Sequence, residues 1–465
     1  MSPLGRPKGE YRRAQPEGCP MTPPGRPKGE YRRAQPGGTP VSRASRLRAA
    51  AWVLAALLAA QARGGSPSAD TELLPPAHEV AAALAASPLW RAADEAITAE
   101  QASRRQVLAG PYEWLGTVNV GQRHYRDTLP RNAIEWEASL ERALRLPGKR
   151  DAADRLGGAR IELAQAQRSL TWREQARALL ERYGTWLRER EAARIWAEQA
   201  ALLQAQAAVV AERRRLGDAA RLEQVQAEAA VAQAQGLAAG ADARARAAGD
   251  ALARQFPTLA FPQPARLPDP PAAPAEDADW IDAQLAGAPE LASARQAVQI
   301  AEELLRIEEL ERRPDPTVGL RVGQARDANE QFVGVVLKIP FAGEHRAAAV
   351  SVAASRTAAA ALLHDAAQRR AAIDARLRLD EARIAYGGWE HAQLALDKLD
   401  QAAQGLARGY RLGEGSLAEV LAARRLANEQ RAAAAAAAAD AWGARWRLML
   451  EAGRLWACPD PCPRP

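Results

Sequence analysis

The sequence predicts a mainly α-helical protein with a small β part, organised as one unit of helix, strand, strand and long helical hairpin written twice. Composition is the first reason. Alanine, leucine, glutamine, glutamate and arginine dominate, and these residues form helices readily. Periodicity is the second, because apolar residues alternate with period two only in short stretches and otherwise follow helical spacing. Internal repetition is the third. Leu84, Pro88 and Ala93 return as Leu285, Pro289 and Ala294, and Val120-Gly121-Gln122 returns as Val322-Gly323-Gln324. Leu146-Pro147 returns as Ile339-Pro340, and Tyr183-Gly184-Thr185-Trp186 as Tyr386-Gly387-Gly388-Trp389. RLGDAARLEQVQA (215–227) returns as RLGEGSLAEVLA (411–422). Five matches in one order, at offsets of 193 to 203 residues, define a duplicated unit of domain size.

Residues 1–40 contain GRPKGEYRRAQP twice, at 5–16 and 25–36. This Pro-, Gly- and Arg-rich string cannot build a core and reads as a disordered leader or a mis-assigned start. Residues 41–62 carry the marks of a signal peptide: Arg43, Arg46 and Arg48, the apolar run Ala49 to Ala60, and the small-x-small site Ala60-Gln61-Ala62. A run of about twelve residues is too short for a bilayer helix of about 20. The expectation is export, with a mature chain from Arg63 and, since no cysteine follows the cleavage site, no lipid anchor. Eleven of the 63 basic and three of the 56 acidic residues lie in 1–62, leaving 52 basic against 53 acidic. A mature chain so close to neutral gives no electrostatic ground for binding nucleic acid.

In the first repeat, 63–256, a helix is expected over roughly 78–109, ended by Pro111. Strands over 112–122 and 133–146 follow. In the second of these Ile134, Trp136, Ala138 and Leu140 share one face, and Glu135, Glu137, Ser139 and Glu141 the other. A helix of about 65 residues then spans 148–215, with apolar heptad spacings at Leu180/Leu187 and Leu202/Val209/Leu216. It reverses at Leu216-Gly217. The interval from Tyr-Gly-x-Trp to Leu-Gly is seven residues longer here than in the second half, which reads as an inserted heptad. Residues 257–277 are a proline-rich linker. The second repeat, 278–455, is expected to hold a helix over 278–312, strands over 316–324 and 332–339, and a long helix over 344–411 reversing at Leu412-Gly413. In the tail, 456–465, Cys458 and Cys462 are spaced for a local disulfide or, alternatively, a two-cysteine metal site.

Four strands cannot close a barrel, which takes about eight. Nor can an open sheet edge sit in lipid, where every backbone group must be paired. Three chains would supply twelve strands, with Ile134, Trp136, Ala138 and Leu140 toward lipid and the glutamates toward water. Tyr112, Trp114, Tyr125, Trp136, Phe332 and Phe341 fall where an interfacial aromatic belt would lie. The competing expectation is a small soluble sheet with one wet face.

The repeated order of elements, the strand ending LRLPGKR (144–150) and the hairpin end YRLGEGSLAEVL (410–421) resemble the TolC-like outer-membrane efflux proteins. LRLPGKR resembles their heavy-metal (cobalt-zinc-cadmium) branch. The resemblance covers 78–455. It implies a homotrimer forming a twelve-stranded outer-membrane β-barrel continued by a periplasmic α-helical barrel. It also implies docking onto a periplasmic adaptor and an inner-membrane resistance-nodulation-division pump, with heavy-metal cations as cargo; multidrug or type I secretion ducts share the fold. The first hairpin end departs from the pattern, with an extra residue and no Gly-Ser pair. The reading from a different class is a periplasmic coiled-coil adaptor, but adaptors carry one hairpin flanked by β-rich domains.

No pattern points to catalysis, a cofactor or a resident metal. His78, His124, His345, His364 and His391 lack the spacing of metal ligands, and PGKR at 147–150 lacks the flanking residues of a phosphate loop. The functional candidates lie at the hairpin ends. Gly217 and Gly413 suit a left-handed turn. Leu216 and Leu412, with Asp218, Glu414 and Ser416, are expected to present anchors to an adaptor hairpin. Glu223 and Glu419 are candidates for an acidic entrance.

Overall fold

The computed structural model describes residues 72–126, 131–275, 277–325, 330–341 and 343–458; the leader, the expected signal peptide and Cys462 lie outside them. The elements follow in the order α1 (Ala77–Ala85), α2 (Pro88–Ala109), β1 (Leu115–Tyr125), β2 (Arg131–Ala143), α3 (Lys149–Arg215) and α4 (Arg221–Gln255). The second round is α5 (Ala278–Ala286), α6 (Pro289–Glu311), β3 (Thr317–Ala325), β4 (Glu330–Lys338), α7 (Glu344–Arg411) and α8 (Leu417–Glu451).

Each repeat opens with two helices where the sequence suggested one. The break falls at Pro88 and Pro289, which stand in the first turn of α2 and α6 and supply no N–H to the preceding turn. Ser87 caps α2 by accepting the Trp90 N–H at 3.2 Å. The first strand starts later than expected, at Leu115 rather than near 112, because Tyr112 donates its hydroxyl to Asp315 (2.7 Å) below the sheet.

The long helices have 67 and 68 residues, so no heptad is inserted in one of them. The Tyr-Gly-x-Trp mark has slid instead. Tyr183 lies 32 residues before Arg215, whereas Tyr386 lies 25 before Arg411, and the residue 32 before Arg411 is buried Leu379. Tyr183 is fully buried and Tyr386 is not.

The main core sits halfway along α3, where Trp172, Leu179, Leu180, Tyr183 and Leu187 meet α1, the end of α4 and the end of α8 with Trp442 and Trp446. Trp90 packs edge-on against Trp172 at 5.7 Å, and Trp442 lies 5.4 Å from Trp446. From there to the hairpin ends the helices are zipped by small residues. Ala227, Ala234 and Ala241 on α4, and Ala427, Ala434 and Ala441 on α8, are buried at seven-residue intervals. On α3 the buried seam is Ile195, Leu203 and Val210. The expected stripe Leu202/Val209/Leu216 is one position off that seam and stays exposed. An α-helix turns about 100° per residue, so one position moves a side chain to another face.

The proline-rich segment is not a free spacer. Phe261 and Leu267 pack on the core, and long side chains, Tyr183 and Arg190 among them, clamp its carbonyls. Trp442 Nε1 donates to Pro268 O (2.9 Å), Arg445 to Ala272 O (3.1 Å), and Arg383 to Pro274 O (3.0 Å) and the Asp277 carboxylate (2.5 Å). Proline lacks an N–H but leaves its carbonyl free to accept, so a Pro-rich strap suits donors reaching out from helices. Arg383→Ala is therefore expected to loosen the strap by about 1–2 kcal/mol. Protease cleavage within 263–277, mapped by mass spectrometry, should accelerate about tenfold while cleavage at the hairpin ends stays constant. Unchanged cleavage would show that the clamp holds nothing.

Candidate functional site

The four strands form one antiparallel sheet in the order β1-β2-β3-β4. Its register aligns the period-two pattern of all four strands. Val118 faces Ala138, Ala138 faces Val322 and Val322 faces Val333; Leu140 faces Leu320 and Leu320 faces Val335. One face is consequently apolar from edge to edge, and it is bare. Val118, Val120, Ile134, Trp136, Leu140, Leu320, Val322, Val333, Val335 and Leu337 are all exposed, Val333 at 82%. The register places Ile134, Trp136, Ala138 and Leu140 on this one face, with Ala138 half-buried.

On the opposite face the structure supplies what the sequence reading missed, a basic partner for each glutamate. Arg123 pairs with Glu135 (3.1 Å), Arg321 with Glu137 (3.5 Å), and Lys338 with Glu141. Two glycines make the room. A Cβ on Gly319 would sit 2.6 Å from Glu141 Cγ, and one on Gly323 would strike the Phe332 ring. That ring in turn lies 5.2 Å beneath the Arg321 guanidinium.

LRLPGKR folds into the corner that joins sheet to helices. Leu144 N donates to Pro316 O (2.8 Å), Leu146 N to Asp315 Oδ1 (2.9 Å), and Lys149 Nζ lies 3.0 Å from Asp315 and 2.9 Å from Glu311. Gly148 takes a left-handed φ of 86° before α3 begins. Burial of the Asp315 carboxyl works against its charge, yet the Leu146 N–H, the Tyr112 hydroxyl and Lys149 hold it below the usual carboxylate range.

At the far ends both long helices close with the same cap. Gly217 N donates to Arg214 O (3.0 Å) and Asp218 N to Arg213 O (2.8 Å); Gly413 N donates to Tyr410 O (3.1 Å) and Glu414 N to Gly409 O (2.9 Å). Gly217 and Gly413 have φ of 83° and 86°. Leu216 and Leu412 join these turns through their backbone N–H groups, but the residues stand 70% and 79% exposed. Ser416 begins α8 in a capping box, its hydroxyl accepting the Glu419 N–H while the Glu419 carboxylate accepts the Ser416 N–H (2.9 Å). The two ends also touch. Arg213 Nη1 donates to the Tyr410 hydroxyl (3.1 Å), which donates to Glu223 (2.9 Å), and Arg213 Nε binds Asp218 (2.9 Å). Asp218, Glu223 and Glu419 thus each hold a partner within the chain. Tyr410 and Arg213 were absent from the sequence-derived candidates, although Tyr410 begins the quoted YRLGEGS motif. Among the described residues no group of three or more His, Cys, Asp or Glu side chains is placed to hold a metal ion.

No family model and no curated protein sequence matches the chain. Solved structures do. The outer membrane protein VceC from Vibrio cholerae is 15% identical over 82% of this chain and 100% of its own, with a TM-score of 0.64. The Campylobacter jejuni CmeC outer membrane channel is 12% identical over 82% and 86%, with a TM-score of 0.64. CusC, a transmembrane channel, is 17% identical over 82% and 91%, with a TM-score of 0.65. The architecture is therefore the TolC-like one shared by these proteins, retained across very different sequences.

The capping box makes a local, measurable claim. Ser416→Ala should raise amide exchange across 417–420 about fivefold, the equivalent of about 1 kcal/mol, without affecting 221–224. The Ser416 N–H holds the Glu419 carboxyl below its usual pKa. A depressed carboxyl stabilises above its unfolded pKa and ceases to as pH falls through the folded one, so the same amides should also fray in acid. Exchange that ignores both the substitution and acid would remove the cap from the account.

Proposed function

We propose that this chain is the subunit of an outer-membrane exit duct, passive and without chemistry of its own. The observation that carries the reading is the sheet: a largely apolar, solvent-bare face on four strands whose outer members, β1 and β4, each keep one edge without a ladder partner among the described residues. Water penalises the bare face, and lipid penalises unpaired edges. Three copies joined β4 to β1 relieve both, turning ten apolar side chains per chain to lipid and the Arg–Glu and Lys–Glu pairs to an aqueous lumen. The helices support the same trimer. Leu202 and Val209 on α3, with Leu362, Leu363, Ile373 and Ile384 on α7, form exposed apolar stripes available to neighbouring copies. In this reading α3, α4, α7 and α8 continue the barrel as a periplasmic tunnel. Leu216 and Leu412 at its end anchor the hairpins of a periplasmic adaptor, which couples the duct to an inner-membrane resistance-nodulation-division pump. The cargo assignment, heavy-metal cations, rests on LRLPGKR alone, and that segment's work as a structural corner lends it no support.

The chain should fractionate with outer membranes and, in mild detergent, give a light-scattering mass of three chains. Val335→Lys should cost about 2–4 kcal/mol per chain on the lipid face and deplete the membrane-embedded trimer. A monomer soluble without detergent that keeps its full β signal would sink the reading.

The docking assignment has its own test. Leu216→Asp combined with Leu412→Asp should leave trimer yield and membrane level unchanged but abolish efflux and adaptor cross-linking. Wild-type efflux in that double variant would reduce the leucines to ordinary surface residues.

A further inference from the structure

Running inward from the second hairpin end, a cleft of about 370 Å³ opens between α3, α7 and α8. Its walls carry four arginines, Arg408, Arg411, Arg424 and Arg431, and one carboxylate, Asp400. That carboxylate is already used. Arg431 Nη2 holds both its oxygens, at 2.7 and 2.5 Å. Among the described residues the other three arginines have no carboxylate in ion-pair range. Arg424 is half-buried and gives one N–H to the neutral amide of Gln206. Arg411 gives one to the Ala407 carbonyl at 3.3 Å. Burial, and then the charge of Arg411, push the Arg424 guanidinium below its usual pKa. Gathering like charges at a partly desolvated site is costly unless an anion shares it. Elsewhere at the hairpin ends, Arg213, Arg215 and Arg425 each have an acidic partner.

The remaining lining defines the shape of the anion. Leu202, Ala403, Ala407 and Ala427 offer apolar floor, and the amides of Gln199 and Gln404 offer neutral hydrogen bonds. The volume is that of a small-molecule site. We propose that this cleft binds a small organic polycarboxylate, held by Arg408, Arg411 and Arg424 over the alanine floor. Guanidinium groups take carboxylates in bidentate pairs, and three of them match two or three carboxylates on one compact carbon frame. The site is independent of what the duct exports and of whether the leucines dock a partner.

The test uses the detergent-purified full chain, titrated with citrate at constant ionic strength against chloride, with the thermal unfolding midpoint as the readout. Citrate should stabilise the protein saturably. Arg411→Gln and Arg424→Gln should each weaken the apparent affinity about tenfold, as expected for loss of one charge-assisted bond. Arg244→Gln, an exposed residue far from the cleft, should leave it unchanged. If Arg424→Gln fails to assemble, the exposed Arg408 and Arg411 decide the matter through their own glutamine variants. Stabilisation that never saturates, or that survives those variants, overturns the site. Saturable stabilisation by inorganic phosphate but not by citrate overturns the carboxylate assignment.

Discussion

A four-stranded antiparallel sheet with one bare apolar face is an unfinished object, and the rest of the molecule is arranged around that fact. Its inner pairs, β1-β2, β2-β3 and β3-β4, satisfy their ladders, while β1 and β4 each keep one row of backbone groups without a ladder partner. Interior strands are thereby supplied equally by both repeats, since β2 of the first lies beside β3 of the second. The join needs the two strand-to-helix corners to be held in fixed relation. The Asp315 node does that by collecting the Leu146 N–H, Tyr112 and Lys149 at one carboxylate. A half-buried carboxylate with that many donors is rigid as well as satisfied.

Farther from the sheet, packing is thin along the helices and thick at one level. Alanine seams at heptad spacing let α3 approach α4, and α7 approach α8, closely, but each alanine buries little area. The largest gathering of bulky side chains is where α1, α3, α4 and α8 meet beneath the proline-rich strap. The strap adds no helix or strand of its own. Its carbonyls accept from Trp442, Arg445, Arg383, Arg190 and Tyr183, so its contribution is to tie the chain's midpoint to both repeats.

At the hairpin ends, charge is more local than the sequence suggested. Asp218, Glu223 and Glu419 are each occupied by an arginine, a tyrosine or a cap, while the leucine side chains stand exposed. Three arginines without an acidic partner among the described residues gather in the cleft beside the second end.

The sequence by itself determined the element order, the duplication, the two long helices to within a residue or two, and the alternation that makes one sheet face apolar. All of these follow from local periodicity and from the residues that break it, such as the glycines after Leu216 and Leu412. Tertiary structure alone decided three things. It placed the break at Ser87-Pro88, where a cap and a proline act together. It chose Leu203 and Val210 over Leu202 and Val209 as the buried seam of α3, because both stripes are apolar and only a packed neighbour distinguishes them. And it set which arginine meets which acid: Arg321 reaches Glu137 across a strand pair 184 residues apart in the chain, and Arg424 reaches none among the described residues. Pairing of charges depends on distance in space, and no spacing along a sequence of this length encodes it.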